Sequence, residues 1–262
     1  MLAASRKSDQ AKVLARDSSR SDAPFACPAC REDVILKKGT RRVHHFAHQP
    51  SSTCALGAGE TAEHHRAKLA IYDSLRGASN VIECEVEKPL HVSIADVYAR
   101  ISGIQVAIEI QRSNLSEAEI RRRTLTYHSQ GIAVVWVALA RSQSAPDRYS
   151  PRPWELWWHA AAFGRVYIWH SGDVLQPVHF EKYVLDVPYS EWREDGEDRS
   201  AGGYDKVSRR WRKPIYGPPA ALSRDFKVSC RRASSMGRFD FPECTLFLDR
   251  HPAWWKKGST SC

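Results

Sequence analysis

The chain has 262 residues, of which 42% are hydrophobic and 26% charged, so it is long enough for one sizeable hydrophobic core and a small additional module. Its formal net charge is +9, and the excess is concentrated in residues 201–262, which hold 13 Lys and Arg against 5 Asp and Glu. The sequence has no run of about 18 apolar residues and no continuous apolar segment near residue 1, which argues against a membrane-spanning or a secreted protein.

The first predicted elements are a tail and a metal-binding module. Residues 1–22 are rich in Ser, Arg and Asp without hydrophobic periodicity, which predicts a disordered tail. Residues 23–56 begin with a Cys-Pro-Ala-Cys turn, and further histidines and a cysteine follow. Two thiols on one tight turn, followed by more Cys and His donors, are typical of a structural zinc site. We therefore predict a small zinc ribbon that binds Zn²⁺ through four side chains: Cys27, Cys30, His48 and Cys54.

Alternatives remain for this module. His45 could replace His48 as the fourth ligand, because both lie in the segment HFAH. The cysteines could instead be buried free thiols beside unrelated surface histidines. Seven cysteines are an odd number, and no secretory signal accompanies them, so the pattern favours thiols bound to metal over a disulfide framework.

Residues 57–140 predict an α/β core. Apolar residues at helical spacing, a capping residue and a terminating glycine mark each helix, and apolar or alternating runs mark each strand. The predicted order is helix 60–77, strands 81–90, 91–100 and 104–111, a helix from a cap at Ser113 or Asn114 to Gly131, and strand 132–139.

The last part of the chain gives weaker signals. Residues 141–200 predict a Pro- and Ser-containing linker followed by a small β extension, with Trp154, Trp157, Trp158 and Trp169 in strand-like pieces. Residues 201–262 predict a basic, largely flexible tail in which only 244–255 docks locally. A basic tail suits a polyanion such as DNA, although it could also be a solvated segment with no defined partner.

Acidic residues on neighbouring elements form a candidate magnesium site. Asp96 and Glu109 lie among apolar neighbours on consecutive strands, and Glu109 shares a strand face with Gln111. If the strands pair as a hairpin, the two carboxylates can meet and hold Mg²⁺. Helical spacing places three more polar residues on one helix face: Glu60, His64 and Lys68. The alternative is a set of ordinary solvated residues, but a buried carboxylate without a partner is costly.

In this order and spacing, several segments resemble the competence protein CoiA-like nucleases of bacteria. The resemblance covers about residues 25–140, with weaker similarity to about 185. The matching segments are CPAC, GTRRVHHFAH with Cys54, GETAEHHRAK, ADVYA, IEIQRS, RRRTLTYHSQGI and VVWV.

The resemblance implies a restriction-endonuclease-like αβββαβ core of the PD-(D/E)xK type. Its Asp corresponds to Asp96, its D/E-x-K triplet to Glu109-Ile110-Gln111, and its helix Glu to Glu60. Gln111 departs from the usual Lys, so Lys68 or His64 would supply the positive charge. The resemblance also gives supporting or phosphate-contacting roles to three further residues: Ser113, Arg123 and Tyr127.

These observations predict a bacterial, cytoplasmic hydrolase that cuts DNA with Mg²⁺ or Mn²⁺ and carries a structural Zn²⁺. DNA is the expected partner, together with recombination proteins, and the oligomeric state is left open. One alternative is a non-catalytic DNA-binding accessory factor of DNA uptake and recombination that uses the same fold. Another is a zinc-ribbon interaction module that would not need Asp96 and Glu109 to converge.

Overall fold

The computed structural model describes residues 1–40, 42–54, 56, 60–90, 93–140 and 147–256. It is a mixed α/β structure in which strands predominate. Along this described part of the chain, no helix has both the length and the hydropathy that crossing a membrane requires.

The N-terminal module is built on a small antiparallel sheet with the order β2-β1-β3-β4-β5. Its strands are β1 (Ala3–Arg6), β2 (Lys12–Leu14), β3 (Phe25–Ala26), β4 (Asp33–Lys37) and β5 (His45–His48). Its own core includes Phe25, Val34, Leu36 and Phe46, all less than 9% exposed.

The first 22 residues differ from the predicted disordered tail, because β1 and β2 both belong to this sheet. Leu2, Ala3 and Ala4 are buried, and the backbone amides of Leu2 and Ala3 donate to the Glu87 carboxylate at 2.8 and 3.0 Å. This order depends on a residue more than 80 positions away. The composition of the segment itself therefore could not reveal it.

The central part of the chain follows the predicted order of helix, three strands, helix and strand. The elements are α1 (Ala62–Arg76), β6 (Val81–Leu90), β7 (Ser93–Ile101), β8 (Ile104–Gln111), α2 (Glu117–Ser129) and β9 (Ala133–Ala138). Thr61 caps α1, and Gly77 follows its last turn as predicted. The cap of α2 is Ser116, not Ser113 or Asn114: its hydroxyl accepts from the Glu119 amide at 3.1 Å.

The remaining elements extend the central sheet and add small hairpins. They are α3 (Pro153–Ala161), β10 (Val166–Ser171), β11 (Val174–Val187), β12 (Ser190–Glu194), β13 (Glu197–Ala201), β14 (Tyr204–Tyr216), β15 (Ala220–Ala221), β16 (Phe226–Arg231), β17 (Ser234–Met236), β18 (Phe239–Phe241) and β19 (Cys244–Asp249). The central sheet has the order β14-β11-β10-β9-β8-β7-β6, and β19 pairs with both β16 and β9. Strands β6, β7 and β8 form an antiparallel meander, whereas β8, β9 and β10 run parallel.

Three of the tryptophans predicted in strand-like pieces lie in α3 instead. Trp154, Trp157 and Trp158 are 0% exposed, and the Trp154 ring lies 6.3 Å from that of Trp136. Pro153 occupies the first turn, where its missing N–H costs nothing, and the Glu155 carboxylate accepts from the Arg152 amide at 2.6 Å. Spacings of three and four residues between the tryptophans are helical, so the periodicity was present in the sequence.

The predicted flexible tail also differs from the structure, because β14 to β19 lie within residues 201–262. β14 pairs with β11 over most of its length, and Leu246 of β19 pairs with Val134 of β9 in the core. The expected local docking of 244–255 is therefore part of a longer ordered region. In this part of the chain, two segments lie outside the described residues: 141–146, within the predicted linker, and 257–262, at the end of the predicted tail.

Candidate active site

The structure brings the four predicted zinc ligands together. The ligand atoms of Cys27, Cys30, His48 and Cys54 all lie within 4.8 Å of one another. The Cys27 and Cys54 sulfurs are 4.0 Å apart, and the Cys30 sulfur is 3.3 Å from His48 Nε2. Three thiols and one imidazole are a donor set that could hold a metal such as zinc.

Local backbone geometry explains how the two cysteines of the turn face the same point. The Cys27 amide donates to the Glu32 carbonyl at 2.8 Å, and the Arg31 amide donates back to the Cys27 carbonyl at 3.0 Å. The Ala29 amide points at the Cys27 sulfur at 3.4 Å. His45, the alternative ligand, lies outside this group, with its Nδ1 3.0 Å from the Val43 carbonyl oxygen.

A second group of potential ligands consists of Glu60, His64 and Asp96, whose ligand atoms also lie within 4.8 Å of one another. Glu60 immediately precedes the Thr61 cap of α1, and His64 lies in its first turn, so the helix start positions both side chains. Asp96 comes from β7, and its Oδ2 lies 3.1 Å from His64 Nε2. The same oxygen accepts a hydrogen bond from the Ile110 amide at 2.9 Å.

Lys68 joins this group from the next turn of α1. Its side chain is 1% exposed, and its ammonium lies 2.8 Å from Asp96 and 3.1 Å from Glu87, and also contacts Glu60. An ammonium this deeply buried is stable only when carboxylates compensate its charge. We call the set of Glu60, His64, Lys68, Glu87 and Asp96 the acidic cluster.

Glu87 and His65 are cluster contacts that the sequence analysis missed. Glu87 is 0% exposed and has a φ of 51°, an uncommon value for a residue other than glycine. The pairs Val86–Val97 and Lys88–Ala95 place it opposite Asp96. In EVEKPL it looks like an exposed position of an alternating strand, so only the strand register could have identified it. His65 Nε2 lies 2.9 Å from Glu60.

Charge compensation sets the protonation states of the cluster. Burial alone would raise the pKa of Asp96, but Lys68 and His64 outweigh it and hold the pKa below its usual value. Burial likewise opposes the low pKa of Glu60, which His65 and Lys68 maintain. For Lys68, burial alone would lower the pKa, but Asp96, Glu87 and Glu60 raise it well above its usual value. Asp96, Glu60 and Lys68 are therefore all charged at neutral pH.

Glu109 lies close to this cluster but is engaged elsewhere. The register that pairs Val97 with Ile108 sets it opposite Asp96 on the neighbouring strand. Its carboxylate accepts hydrogen bonds from Arg123 and Tyr127 of α2, and its side chain is 1% exposed. Burial raises its pKa, Arg123 opposes this, and the charge of Asp96 raises it further. Among the described residues, the groups that could hold a metal do not include Glu109.

A cleft of about 410 Å³ opens beside the cluster. It is lined by Glu60 and His64 on one side and by Gln111, Arg112 and Ser113 on the other. The Gln111 amide nitrogen donates to the Ser113 hydroxyl at 3.0 Å, and its carbonyl oxygen has no hydrogen bond with any residue that the structure describes. Glu60, His64 and Gln111 thus line one cleft, and Asp96 and Lys68 contact His64 and Glu60 without lining it. Arg123 and Tyr127 reach the site only through Glu109.

Comparisons with known proteins agree with this organisation. Residues 8–57 match a family model described as "Competence protein CoiA, N-terminal domain", and residues 60–152 match "Competence protein CoiA, nuclease-like domain". The competence protein CoiA of Bacillus subtilis (strain 168) is 28% identical over 143 residues, which cover 50% of this chain and 37% of that protein. No solved structure matches. Together the two domain models span more than half of the chain, which therefore belongs to the competence protein CoiA family.

Proposed function

We propose that this protein is a metal-dependent DNA nuclease that hydrolyses phosphodiester bonds. The observation that carries the proposal is the convergence of Glu60, His64 and Asp96 beside buried Lys68, within the segment matched as nuclease-like. The order of elements supports a PD-(D/E)xK type of core. In that interpretation, Glu109-Ile110-Gln111 occupies the place of the D/E-x-K triplet.

The acidic cluster has a donor set that suits Mg²⁺ or Mn²⁺. Hard divalent cations prefer carboxylate oxygens, which Glu60 and Asp96 supply within 4.8 Å of each other, and His64 adds a nitrogen donor. When bound there, such an ion would lower the pKa of a water ligand and stabilise the charge that develops on the phosphate.

The side chains of the chain itself take separate parts in this proposal. Asp96, Glu60 and His64 hold the ion, while buried Lys68 supplies positive charge beside Asp96 from α1. Gln111 orients the attacking water through its free carbonyl oxygen. Glu109 was predicted to share the metal with Asp96. Its bonds to Arg123 and Tyr127 support a positioning part instead, in which it fixes the end of β8.

The Cys₃His group is proposed as a structural Zn²⁺ site in a zinc-ribbon-like module. Four protein ligands leave no open position for catalysis. The Bacillus subtilis relative is named as a competence protein, and the match spans 37% of its length. We extend a role in DNA uptake and recombination to this chain, in a bacterial cytoplasm and with recombination proteins as partners.

One observation favours a second function, that of a non-catalytic DNA-binding accessory. The Lys68 ammonium lies within 3.1 Å of carboxylate oxygens from Asp96 and Glu87 and also contacts Glu60, so a built-in cation already offsets part of the negative charge of the cluster without a metal ion. A fold that keeps such a built-in cation can serve as a binding platform without cutting DNA.

A nuclease assay separates the two functions. Purified protein is incubated with single-stranded, duplex and branched DNA in Mg²⁺ or Mn²⁺, beside Asp96→Asn and a matched control, Asp198→Asn, whose side chain is 90% exposed on β13. We expect cleavage by the wild type and the control, and a loss of at least about a hundredfold in Asp96→Asn because a ligand of the ion is removed. Equal absence of cleavage in all three proteins on every DNA form would establish the accessory function.

A further inference from the structure

The acidic cleft continues into the N-terminal module. A cavity of about 270 Å³ lies between the module and α1, with His45, His48 and Cys54 on one side and Glu60 and His65 on the other. Glu60 is therefore common to this cavity and to the cleft that contains Gln111 and Arg112.

The same cavity adjoins a groove on the outside of the module. That groove, of about 550 Å³, is lined by Lys37, Thr40, Arg42 and His45, which belong to β4, β5 and the turn between them. Arg42 and His45 line both spaces. A path therefore runs from the β4–β5 turn, past Glu60, to Arg112 at the end of β8.

The charge along this path is positive at both ends and negative in the middle, which suits a nucleic-acid strand that is bound together with a metal ion. At one end, Lys37 and Arg42 are exposed and form no ion pair with any residue the structure describes. At the other end, Arg112 is 50% exposed and reaches Glu63 only at 3.7 Å. The carboxylates of the acidic cluster lie between these ends. Exposed cations at both ends attract phosphates, and the middle offers the donors for a metal ion.

The walls of the path are tied to each other. Lys12 of β2 contacts Glu85 of β6 at 2.8 Å, and Arg16 binds both oxygens of Asp73 on α1 at 2.5 and 2.6 Å. The Glu87 carboxylate holds the first residues of β1. The cavity past Glu60 holds about 270 Å³, which is too little for a duplex, so the path suits a single strand. The His45 ring lines the cavity and packs against that of buried His65, with centroids 5.5 Å apart, which gives the cavity one aromatic wall for a base.

We propose that the Cys₃His module forms one wall of a single-stranded DNA channel, in which Lys37 and Arg42 bind phosphates beside the scissile one. This inference rests on the proposed function and names its substrate as a single strand or a single-stranded end. It also gives the module a task beyond stability: the module presents the β4–β5 turn to the substrate.

The test measures DNA binding by the full chain without added divalent metal, so it does not depend on cleavage. Fluorescence anisotropy of a labelled single-stranded oligonucleotide is recorded over a range of salt concentrations for the wild type and for Lys37→Gln/Arg42→Gln. The control is Lys227→Gln/Arg238→Gln, which removes the same charge from exposed positions on β16 and beside β18. Circular dichroism and zinc content establish that every variant is folded.

We expect the Lys37/Arg42 variant to lower the slope of log K against log salt by about 0.7 for each lost phosphate contact, or about 1.4 in total, and the control to keep the wild-type slope. An unchanged slope in the Lys37/Arg42 variant, or an equal loss in the control, overturns the channel. An equal effect on a blunt duplex overturns the assignment to a single strand. If the slope falls as expected but the wild type cuts no DNA, the channel stands and the proposed nuclease activity fails.

Discussion

The ammonium group of Lys68 lies against carboxylates from three parts of the chain: Glu60 before α1, Glu87 of β6 and Asp96 of β7. In the PD-(D/E)xK pattern the lysine follows the second acid on the same strand, where this chain has Gln111. Under the proposed correspondence, Lys68 brings a positive charge to Asp96 from the helix instead. The substitution at 111 therefore does not remove the cation from the site, but it changes the element that carries it.

Glu109 shows how a residue can fit a sequence motif and still have a structural task. A buried carboxylate needs partners that compensate its charge. Arg123 and Tyr127 provide them for Glu109 where α2 packs against the sheet. Arg123 also lies over the Trp136 ring at 5.0 Å, and Trp136 donates to Thr124 at 3.1 Å. Removing the carboxylate would leave Arg123 without its partner in a partly buried position.

We therefore predict that Glu109→Ala lowers the free energy of unfolding by about 3 kcal/mol, as expected when one partner of a buried ion pair is removed. Urea denaturation at neutral pH measures this change. Glu243→Ala, an exposed glutamate before β19, is the matched control and should change stability little. A Glu109→Ala protein as stable as the wild type would instead favour a catalytic part for Glu109, because catalytic groups are seldom optimised for stability.

At the scale of elements, the long strands and α1 were predictable because their signals are local. Alternating or continuous apolar runs bounded by turn residues mark β7, β8 and β9, and the cap at Thr61 marks α1. The prediction of strands for the three tryptophans of α3 was wrong: their spacing is helical, although Trp is enriched in strands. The order of the first residues was not predicted, since Glu87, which accepts from the amides of Leu2 and Ala3, lies more than 80 residues away.

The residues of the candidate site also fall into two groups, those that local sequence signals identify and those that depend on distant contacts. Motif spacing was sufficient to name Glu60, His64, Lys68 and Asp96, because α1 and one hairpin bring them together. Glu87 depends on the register of β6 and on its own positive φ, neither of which is visible in EVEKPL. The partners of Glu109 depend on how α2 packs, which the sequence motif does not contain.

The C-terminal strands change how the basic charge can be tested. β14 pairs with β11, and β19 inserts beside β9 with Leu246 and Phe247 buried. We predict that a chain ending at residue 200 does not fold cooperatively, because it loses strands of the central sheet and exposes the apolar residues of β9. Size-exclusion chromatography and thermal unfolding measure this outcome. A soluble fragment 1–200 that unfolds cooperatively would contradict this prediction and would support the hypothesis of a flexible C-terminal tail.

At the scale of the whole molecule, the N-terminal module and the central sheet share the acidic cluster. Glu87 accepts from the amides of β1 and from Lys68, so one carboxylate connects the module to the cluster. The cavity between them is lined by His48 and Cys54 of the Cys₃His group and by Glu60 of the cluster. The two groups therefore share the wall of one cavity.

The last prediction concerns this connection. We expect about one equivalent of zinc in protein purified without added metal, as for a closed site with four protein ligands, and loss of that zinc in Cys27→Ser. Because Cys27 is 0% exposed within the module core, the variant should also unfold at a lower temperature and bind single-stranded DNA more weakly. Cys84→Ser is the control, since Cys84 is a partly buried thiol of β6 outside the group. Elemental analysis, thermal unfolding and anisotropy measure the three effects. Folded wild-type protein without zinc would refute the structural site, and normal DNA binding by zinc-free Cys27→Ser would separate the module from the channel.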